Sequence, residues 1–155
     1  MTMDGAALPE RLRTIAGALP APGRLDDNSS RPFETIEPAH EGFVDRGGVR
    51  LWYAVWGNAG PWLAFAPPYQ VVHSALLKAC VPYLSQHFRV VTTDARGSGR
   101  SDRPAGQQHY GFQLYFDDFV AVLDAAGAAR VALVGISAAA MTVLRLAAEQ
   151  PQRIT

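Results

Sequence analysis

The feature that most constrains the fold of this chain is a serine set in a short break between a strand-type run and a helix-type run. Residues 131–134 are apolar and rich in valine, and residues 138–150 are rich in strong helix formers. Between them lies GISAA, residues 135–139, with small residues on both sides of the serine. A larger side chain at either flank would collide where the chain reverses. We therefore expect a tight strand–turn–helix unit.

Ser137 of this turn is the candidate nucleophile. The pattern matches the turn that exposes a serine Oγ above a sheet, at a helix N-terminus whose free N–H groups favour a developing negative charge. Two other interpretations compete with it. One is a close-packed βα turn without chemistry, and the other is a variant of the Gly-x-Gly-x-x-Ala dinucleotide turn. The second is disfavoured, because the glycine that lets the backbone approach a pyrophosphate is Ser137 here.

Strand and helix patterns alternate along the chain before this turn. Two strand-type segments flank Gly47-Gly48, which predicts a two-residue hairpin loop. The later segments alternate: strand 62–66, helix 73–86 in two pieces with Ser74 as N-cap, strand 89–93, and an amphipathic helix from 112 that Gly127 ends. This order predicts an α/β fold: a mainly parallel sheet flanked by helices, with an N-terminal β-hairpin.

Composition bounds the class of protein. The 155 residues carry 14 Lys+Arg and 14 Asp+Glu, so no basic excess suggests a nucleic-acid partner. We find neither a signal-peptide pattern nor an apolar run long enough to span a bilayer, and we expect a cytoplasmic protein without a membrane partner. Residues 1–40 contain several prolines and little apolar pattern, which predicts a flexible leader or linker. Residues 41–155 form the predicted domain.

Three motifs, in this order, resemble the N-terminal half of a serine-type α/β-hydrolase. PPY, residues 67–69, follows the third strand, where that family usually carries His-Gly-x. DARGSGRS, residues 94–101, follows the fourth strand and is close to the family's sequence there, and the third motif is the turn around Ser137. The resemblance covers residues 41–155. It implies an incomplete α/β-hydrolase core that ends after the nucleophile-elbow helix.

The resemblance implies a catalytic role for Ser137 and oxyanion-hole roles for the backbone N–H groups of Tyr69 and Ala138. Pro67 and Pro68 have no N–H, so Tyr69 offers the first donor in its loop. Each such donor is worth about 3 kcal/mol of transition-state stabilisation. The family places its catalytic acid and histidine after the nucleophile, and both are absent from this chain. Neither a metal nor a cofactor is implied.

Other polar residues have alternative interpretations. His73 and His109 fall in loops at the sheet edge that carries the turn, so either could act as a base for Ser137. We expect Asp94, Arg96 and Asp102 to stabilise their glycine-rich loop by pairing. Two further carboxylates, Asp117 and Asp118, are expected to complement the start of a helix.

The functional expectation is a serine hydrolase acting on an ester, an amide or an activated C–C bond of a small molecule. Because the acid and the histidine are absent, we expect this chain to be inactive as it stands and to be a fragment. The alternative is a non-catalytic hydrolase-like module that binds a ligand or a partner. Residues 131–134 would form an unpaired apolar edge strand, through which copies of the chain could associate.

Overall fold

The computed structural model describes residues 36–69 and 72–155. Most of the expected leader, residues 1–40, therefore lies outside the described residues, and its character stays a prediction. The first strand begins at His40, next to the predicted start of the domain at residue 41.

A five-stranded sheet organises the described residues, in the order β1-β2-β4-β3-β5. Its strands are β1 (His40–Asp45), β2 (Arg50–Trp56), β3 (Trp62–Phe65), β4 (Arg89–Thr93) and β5 (Ala132–Val134). Strands β4, β3 and β5 run parallel, whereas β1 pairs with β2 and β2 pairs with β4 in antiparallel register. The predicted α/β class is confirmed, and the parallel part of the sheet leads to the serine turn.

The N-terminal hairpin forms as its two glycines predict. Gly47 and Gly48 have φ values of 67° and 84°, and the N–H of Arg46 donates to the carbonyl of Val49 across 2.9 Å. Positive φ at both central residues is the requirement of a type I′ turn, whose twist matches that of the strands it joins. The turn therefore sets the register of β1 against β2.

Helical elements cover both faces of the sheet. The helices are α1 (Val81–Leu84), α2 (Phe112–Ala125) and α3 (Ala139–Glu149), and the 3₁₀ segments are Ser74–Ala79, Gln107–His109 and Pro151–Arg153. The larger core joins one face of the sheet to α2 and α3, through residues such as Phe119 and Leu146. The smaller core joins the other face to α1, through Val81.

Of two predicted helix ends, the structure confirms one and contradicts the other. Gly127 has a φ of 74°, and the N–H of Ala128 donates to the carbonyl of Leu123 across 2.9 Å. These contacts belong to the Schellman motif, so the predicted glycine stop of α2 is confirmed. The predicted N-cap at Ser74 is wrong. His73 is the N-cap, and its Nδ1 accepts the N–H of Ala75 across 3.3 Å.

The unpaired part of the β5 edge begins at a later residue than predicted. Val131 forms a parallel bridge with Ile154, and its N–H donates to the carbonyl of Arg153 across 2.8 Å. The expectation that Val131 is unpaired is therefore wrong, because the residues after α3 return alongside it. Within the described part of the chain, residues 132–134 pair only with β3.

Candidate active site

Ser137 lies in the turn that connects β5 to α3. Its φ is 56°, a left-handed conformation that costs a non-glycine residue about 1–2 kcal/mol. The side chain is exposed, and its Oγ has no hydrogen-bond partner among the described residues. The carbonyl of Ser137 accepts the N–H of Ala140 across 3.0 Å, which begins α3 directly after the serine. A strained and exposed serine at this junction is what an activated nucleophile requires.

Steric crowding at the turn explains the small residues beside the serine. A Cβ added at Gly135 would lie 2.7 Å from Val143 Cγ2 and 2.8 Å from the carbonyl oxygen of Ala139. Ala139 itself is fully buried. Strand β5 thus crosses directly against the first turn of α3, and any side chain at Gly135 would push the two apart.

A cavity of about 200 Å³ opens beside Ser137 and Ala138. Its walls come from the ends of β3 and β5, from Pro67 and Pro68, and from the segment that includes His73, Ser74 and Leu77. These walls are mainly apolar, and His73 is the ionisable residue among them. The cavity can therefore hold an uncharged group against the serine Oγ.

The two predicted oxyanion donors differ in their placement. Ala138 lines the cavity and is the N-cap of α3, and no backbone carbonyl among the described residues accepts its N–H. Tyr69 is not among the residues that line the cavity. Its N–H donates to the carbonyl of Pro67 across 2.8 Å, closing a γ-turn around Pro68. The roles of both N–H groups stay predictions.

The Tyr69 loop has a second unusual feature. Tyr69 has a φ of 55°, so the non-glycine residues with positive φ in the described chain are Tyr69 and Ser137. The ring of Tyr69 packs on Tyr115, with ring centroids 4.5 Å apart. For the Tyr69 N–H to reach an oxyanion, it would have to leave the Pro67 carbonyl.

The two candidate histidines are placed differently as well. His73 lines the Ser137 cavity, but its Nδ1 accepts the N–H of Ala75. In the neutral imidazole this contact places the proton on Nε2, so the ring offers a donor and not a free base. His109 is not among the lining residues of the cavity, and its carbonyl accepts Arg96 Nη1 across 2.9 Å.

The charged residues of the glycine-rich loop each have a distinct partner. Arg96 forms a bidentate contact with Asp118, at 2.6 and 2.7 Å. The hydrogen bond to Asp118 raises the pKa of the Arg96 guanidinium. Asp102 accepts the backbone N–H of Arg50 across 2.8 Å and also binds its guanidinium. Both contacts connect the loop to other elements of the fold, and neither is a contact within the loop.

The expectation that Asp117 and Asp118 complement a helix start is wrong. Helix α2 begins at Phe112, and its first turn contains no acidic residue. Both residues therefore lie in the middle of the helix. Asp118 is buried and faces Arg96, whereas Asp117 accepts Gln113 Nε2 across 2.8 Å at the exposed surface.

Asp94 has a role that the sequence did not predict. Its carboxylate accepts the backbone N–H of Ser74 across 2.7 Å and that of Arg100 across 2.8 Å. Ser74 lies in the wall of the Ser137 cavity, so this contact connects β4 to the candidate site. The signal in the sequence was the glycine at position 99, since a Cβ there would collide with the Asp94 carboxylate in the structure.

Two other kinds of feature are absent from the described residues. No cluster of three or more potential metal ligands occurs among the residues 36–69 and 72–155. In the same part of the chain, every helix is too short or too polar to cross a bilayer.

Comparison with known proteins gives consistent matches. A family model described as "alpha/beta hydrolase fold" matches residues 72–155. A protein of Caulobacter vibrioides named "Putative carbamate hydrolase RutD" is 41% identical over 71 residues, which cover 46% of this chain and 26% of that protein. This chain therefore spans about a quarter of that relative's length.

Solved structures match a longer part of the chain. A hydrolase from Pseudomonas aeruginosa PA01 superimposes with a TM-score of 0.66 and 32% identity, covering 75% of this chain and 43% of that one. The enol-lactonase from Burkholderia xenovorans LB400 superimposes with a TM-score of 0.64 and 28% identity, covering 73% and 44%. Each of these proteins is more than twice as long as the segment that matches it.

Proposed function

We propose, from the premise that this chain belongs to the alpha/beta hydrolase fold family, that Ser137 is the nucleophile of a hydrolase acting on a small molecule. The observation that carries the proposal is the backbone of Ser137, which keeps a left-handed φ of 56° at an exposed turn beside a cavity. Such strain in a non-glycine residue is retained where a function requires it.

The proposed reaction begins at a carbonyl carbon held in the apolar cavity. Ser137 Oγ forms a bond to that carbon, the carbonyl electron pair moves to oxygen, and the serine proton passes to a base. The N–H of Ala138 would stabilise the oxyanion, and Tyr69 would supply a second donor after releasing the Pro67 carbonyl. No base in a competent tautomer contacts Ser137 within the described residues. We therefore propose that the residues of this chain do not complete the reaction by themselves.

The substrate proposed is an ester, an amide or an activated C–C bond. The names of the two relatives support a carbonyl substrate, since one is described as acting on a carbamate and the other is an enol-lactonase. The apolar walls beside Ser137 favour an uncharged group next to the bond that is cleaved.

The test is covalent labelling of Ser137 with an alkyl fluorophosphonate in the protein as its natural source produces it, so that any base supplied by residues outside this chain is present, followed by peptide mass analysis. We expect the label on Ser137 and its loss in Ser137→Ala. Ser85, which is half-buried and whose Oγ donates to the Pro82 carbonyl across 3.1 Å, serves as a control serine, and Ser85→Ala should be labelled like the unsubstituted protein. Label that persists in Ser137→Ala would contradict the proposal. If a nitrophenyl ester is also cleaved, His73→Ala and His109→Ala show whether either histidine is the base.

The second candidate is a non-catalytic, ligand-binding module. The observation that favours it is that the Tyr69 N–H and the His73 Nδ1 are both engaged within the protein. This candidate predicts that small uncharged ligands bind in the Ser137 cavity while the fluorophosphonate does not react. Calorimetric titration with the uncharged phosphonate diester, in which an alkoxy group replaces the fluoride, run beside the labelling reaction, separates the two candidates.

We also propose a cytoplasmic location, a flexible leader over residues 1–40, and self-association through the edge of β5. Because Val131 directs its N–H away from β3, the alternation along a strand directs that of Leu133 to the same edge. Leu133→Pro should abolish concentration-dependent sedimentation, since proline lacks the N–H. Leu133→Ala keeps the N–H and is the matched control. A monomer at every concentration would exclude this association.

A further inference from the structure

Asp94 connects the end of β4 to the wall of the Ser137 cavity. It is 2% exposed, and its own backbone is held on both sides. The N–H of Asp94 donates to the carbonyl of Trp52 across 3.2 Å, and its carbonyl accepts Ser101 Oγ across 2.6 Å. The carboxylate therefore extends from a fixed point in the sheet.

The two carboxylate oxygens of Asp94 accept two backbone N–H groups from different loops. Oδ1 accepts the N–H of Ser74 across 2.7 Å, and Oδ2 accepts the N–H of Arg100 across 2.8 Å. Hydrogen bonds to an ionised acceptor are about twice as strong as neutral ones. A single buried carboxylate thus joins two segments that are 26 residues apart, by the numbers of Ser74 and Arg100.

Gly99 leaves the space that the carboxylate occupies. A Cβ at Gly99 would lie 2.0 Å from Asp94 Oδ2 and 2.2 Å from Asp94 Cγ. The glycine is therefore needed to admit the carboxylate, as well as for its own φ of 48°. This steric relationship is independent of the hydrogen bonds, and it shows that the surrounding loop accommodates Asp94 in this position.

The segment that Asp94 holds is a wall of the candidate site. His73, Ser74 and Leu77 line the Ser137 cavity. Three consecutive N–H groups of this wall have acceptors. Ser74 donates to Asp94, Ala75 donates to His73 Nδ1, and Leu76 donates to the His73 carbonyl. Of these acceptors, only Asp94 lies outside the segment. Its hydrogen bond is therefore the one that connects the wall to the sheet.

We propose that Asp94 is a positioning residue for the Ser137 cavity. Its carboxylate holds the His73–Leu77 wall in place relative to the strand ends, and so determines how closely a bound acyl group fits against the serine. The inference rests on the proposed function of Ser137 for its catalytic meaning. The contact itself can be tested separately.

Two variants remove the contact from opposite sides. Asp94→Ala removes both acceptor oxygens. Ser74→Pro deletes the donated N–H and places its Cδ against the carboxylate, which then has to turn away from the wall. Proline is tolerated at the first position of a helical segment, and His73, with φ −96° and ψ 167°, already has the extended backbone that a residue before proline adopts. The backbone of the segment therefore accepts Ser74→Pro, which keeps the test available even if Asp94→Ala does not fold.

Hydrogen exchange tests the contact. We expect the amides of residues 75–77 to exchange roughly tenfold to a hundredfold faster in both variants, the range for a lost hydrogen bond to a charged acceptor. Ser74→Ala keeps the N–H and should exchange like the unsubstituted chain. Asp102 lies in the same loop and binds Arg50. Asp102→Asn should therefore leave the exchange rates of these amides unchanged. Unchanged exchange in both Asp94→Ala and Ser74→Pro would overturn the proposal.

Fluorophosphonate kinetics test the positioning. A displaced wall should raise the inactivator's half-saturation concentration about tenfold while the fraction of labelled protein stays complete. A merely destabilised fold would instead lower the labelled fraction, and an unaltered half-saturation concentration in both variants would overturn the proposal. If the unsubstituted protein from its natural source is not labelled, the proposed function of Ser137 fails, and the exchange result alone decides whether Asp94 holds the wall.

Discussion

Arg96 and Asp118 form a bidentate ion pair in which Nε lies 2.6 Å from Oδ2 and Nη2 lies 2.7 Å from Oδ1. Arg96 is 3% exposed and Asp118 is 5% exposed. The pair joins the loop after β4 to the middle of α2, two elements that β-strand pairing does not connect. Because water is excluded from the contact, neither charge has an alternative solvent partner.

Removing the carboxylate should therefore destabilise the fold strongly. We expect Asp118→Ala to lower the free energy of unfolding by about 3–5 kcal/mol, since an unpaired guanidinium would stay buried. Asp117→Ala, which loses a hydrogen bond to Gln113 on the surface, should cost about 0.5 kcal/mol or less. Urea denaturation of both variants measures the difference. Equal midpoints would show that the buried pair contributes nothing net.

The crossing of β5 and α3 should be sensitive to a single methyl group. Gly135→Ala places a Cβ 2.8 Å from the Ala139 carbonyl oxygen, and overpacking of this kind costs about 1–3 kcal/mol. Gly111→Ala is the control, because an added Cβ there has no neighbour within 4 Å. Thermal unfolding compares the two variants. A Gly135→Ala midpoint equal to that of Gly111→Ala would contradict the close crossing.

The strain at Ser137 should appear as a difference between two inactive variants. Both Ser137→Gly and Ser137→Ala remove the hydroxyl, but only glycine has φ 56° without steric cost. We expect Ser137→Gly to be more stable than Ser137→Ala by about 1 kcal/mol. Chemical denaturation provides the measurement. If alanine were equally stable, the left-handed backbone would have to relax when the serine is removed.

The loss of folding stability at low pH should depend partly on Asp102. Hydrogen bonds from the Arg50 side chain and backbone lower the pKa of Asp102 below its ordinary value of 3.8. A lowered folded-state pKa gives stability that is present above pH 3.8 and is lost as the pH falls through the folded value. The decrease in urea midpoint from pH 5 to pH 3 should be smaller in Asp102→Asn than in the unsubstituted chain. An identical decrease would exclude this contribution.

Much of the fold could be predicted from local patterns. The hairpin at Gly47-Gly48, the strand over residues 89–93 and the glycine stop of α2 at Gly127 all formed as predicted. In each case the signal lies within a few residues, because turn chemistry and apolar periodicity act locally. The need for a small residue at Gly135 was likewise readable, since the collision is with Val143 and Ala139, only a few residues along the chain.

Contacts between distant residues were not predictable in this way. The sequence suggested that Asp118 would face a helix start, yet its partner is Arg96 in another element. Val131 was expected to be unpaired, yet Ile154 returns beside it. Ser74 was expected to cap its segment, but His73 does so and Ser74 donates to Asp94. In all three cases several partners were chemically acceptable, and the packing of the chain selected one.

Local propensity and short motifs thus specify the order of strands and helices, the family resemblance and the position of the serine turn. The packing of the chain specifies which carboxylate meets which donor, including the contact between Asp94 and the Ser74 N–H in the wall of the Ser137 cavity. A hydrogen bond depends on the distance and angle between two atoms, and for residues far apart in the chain those quantities exist only after the sheet has formed.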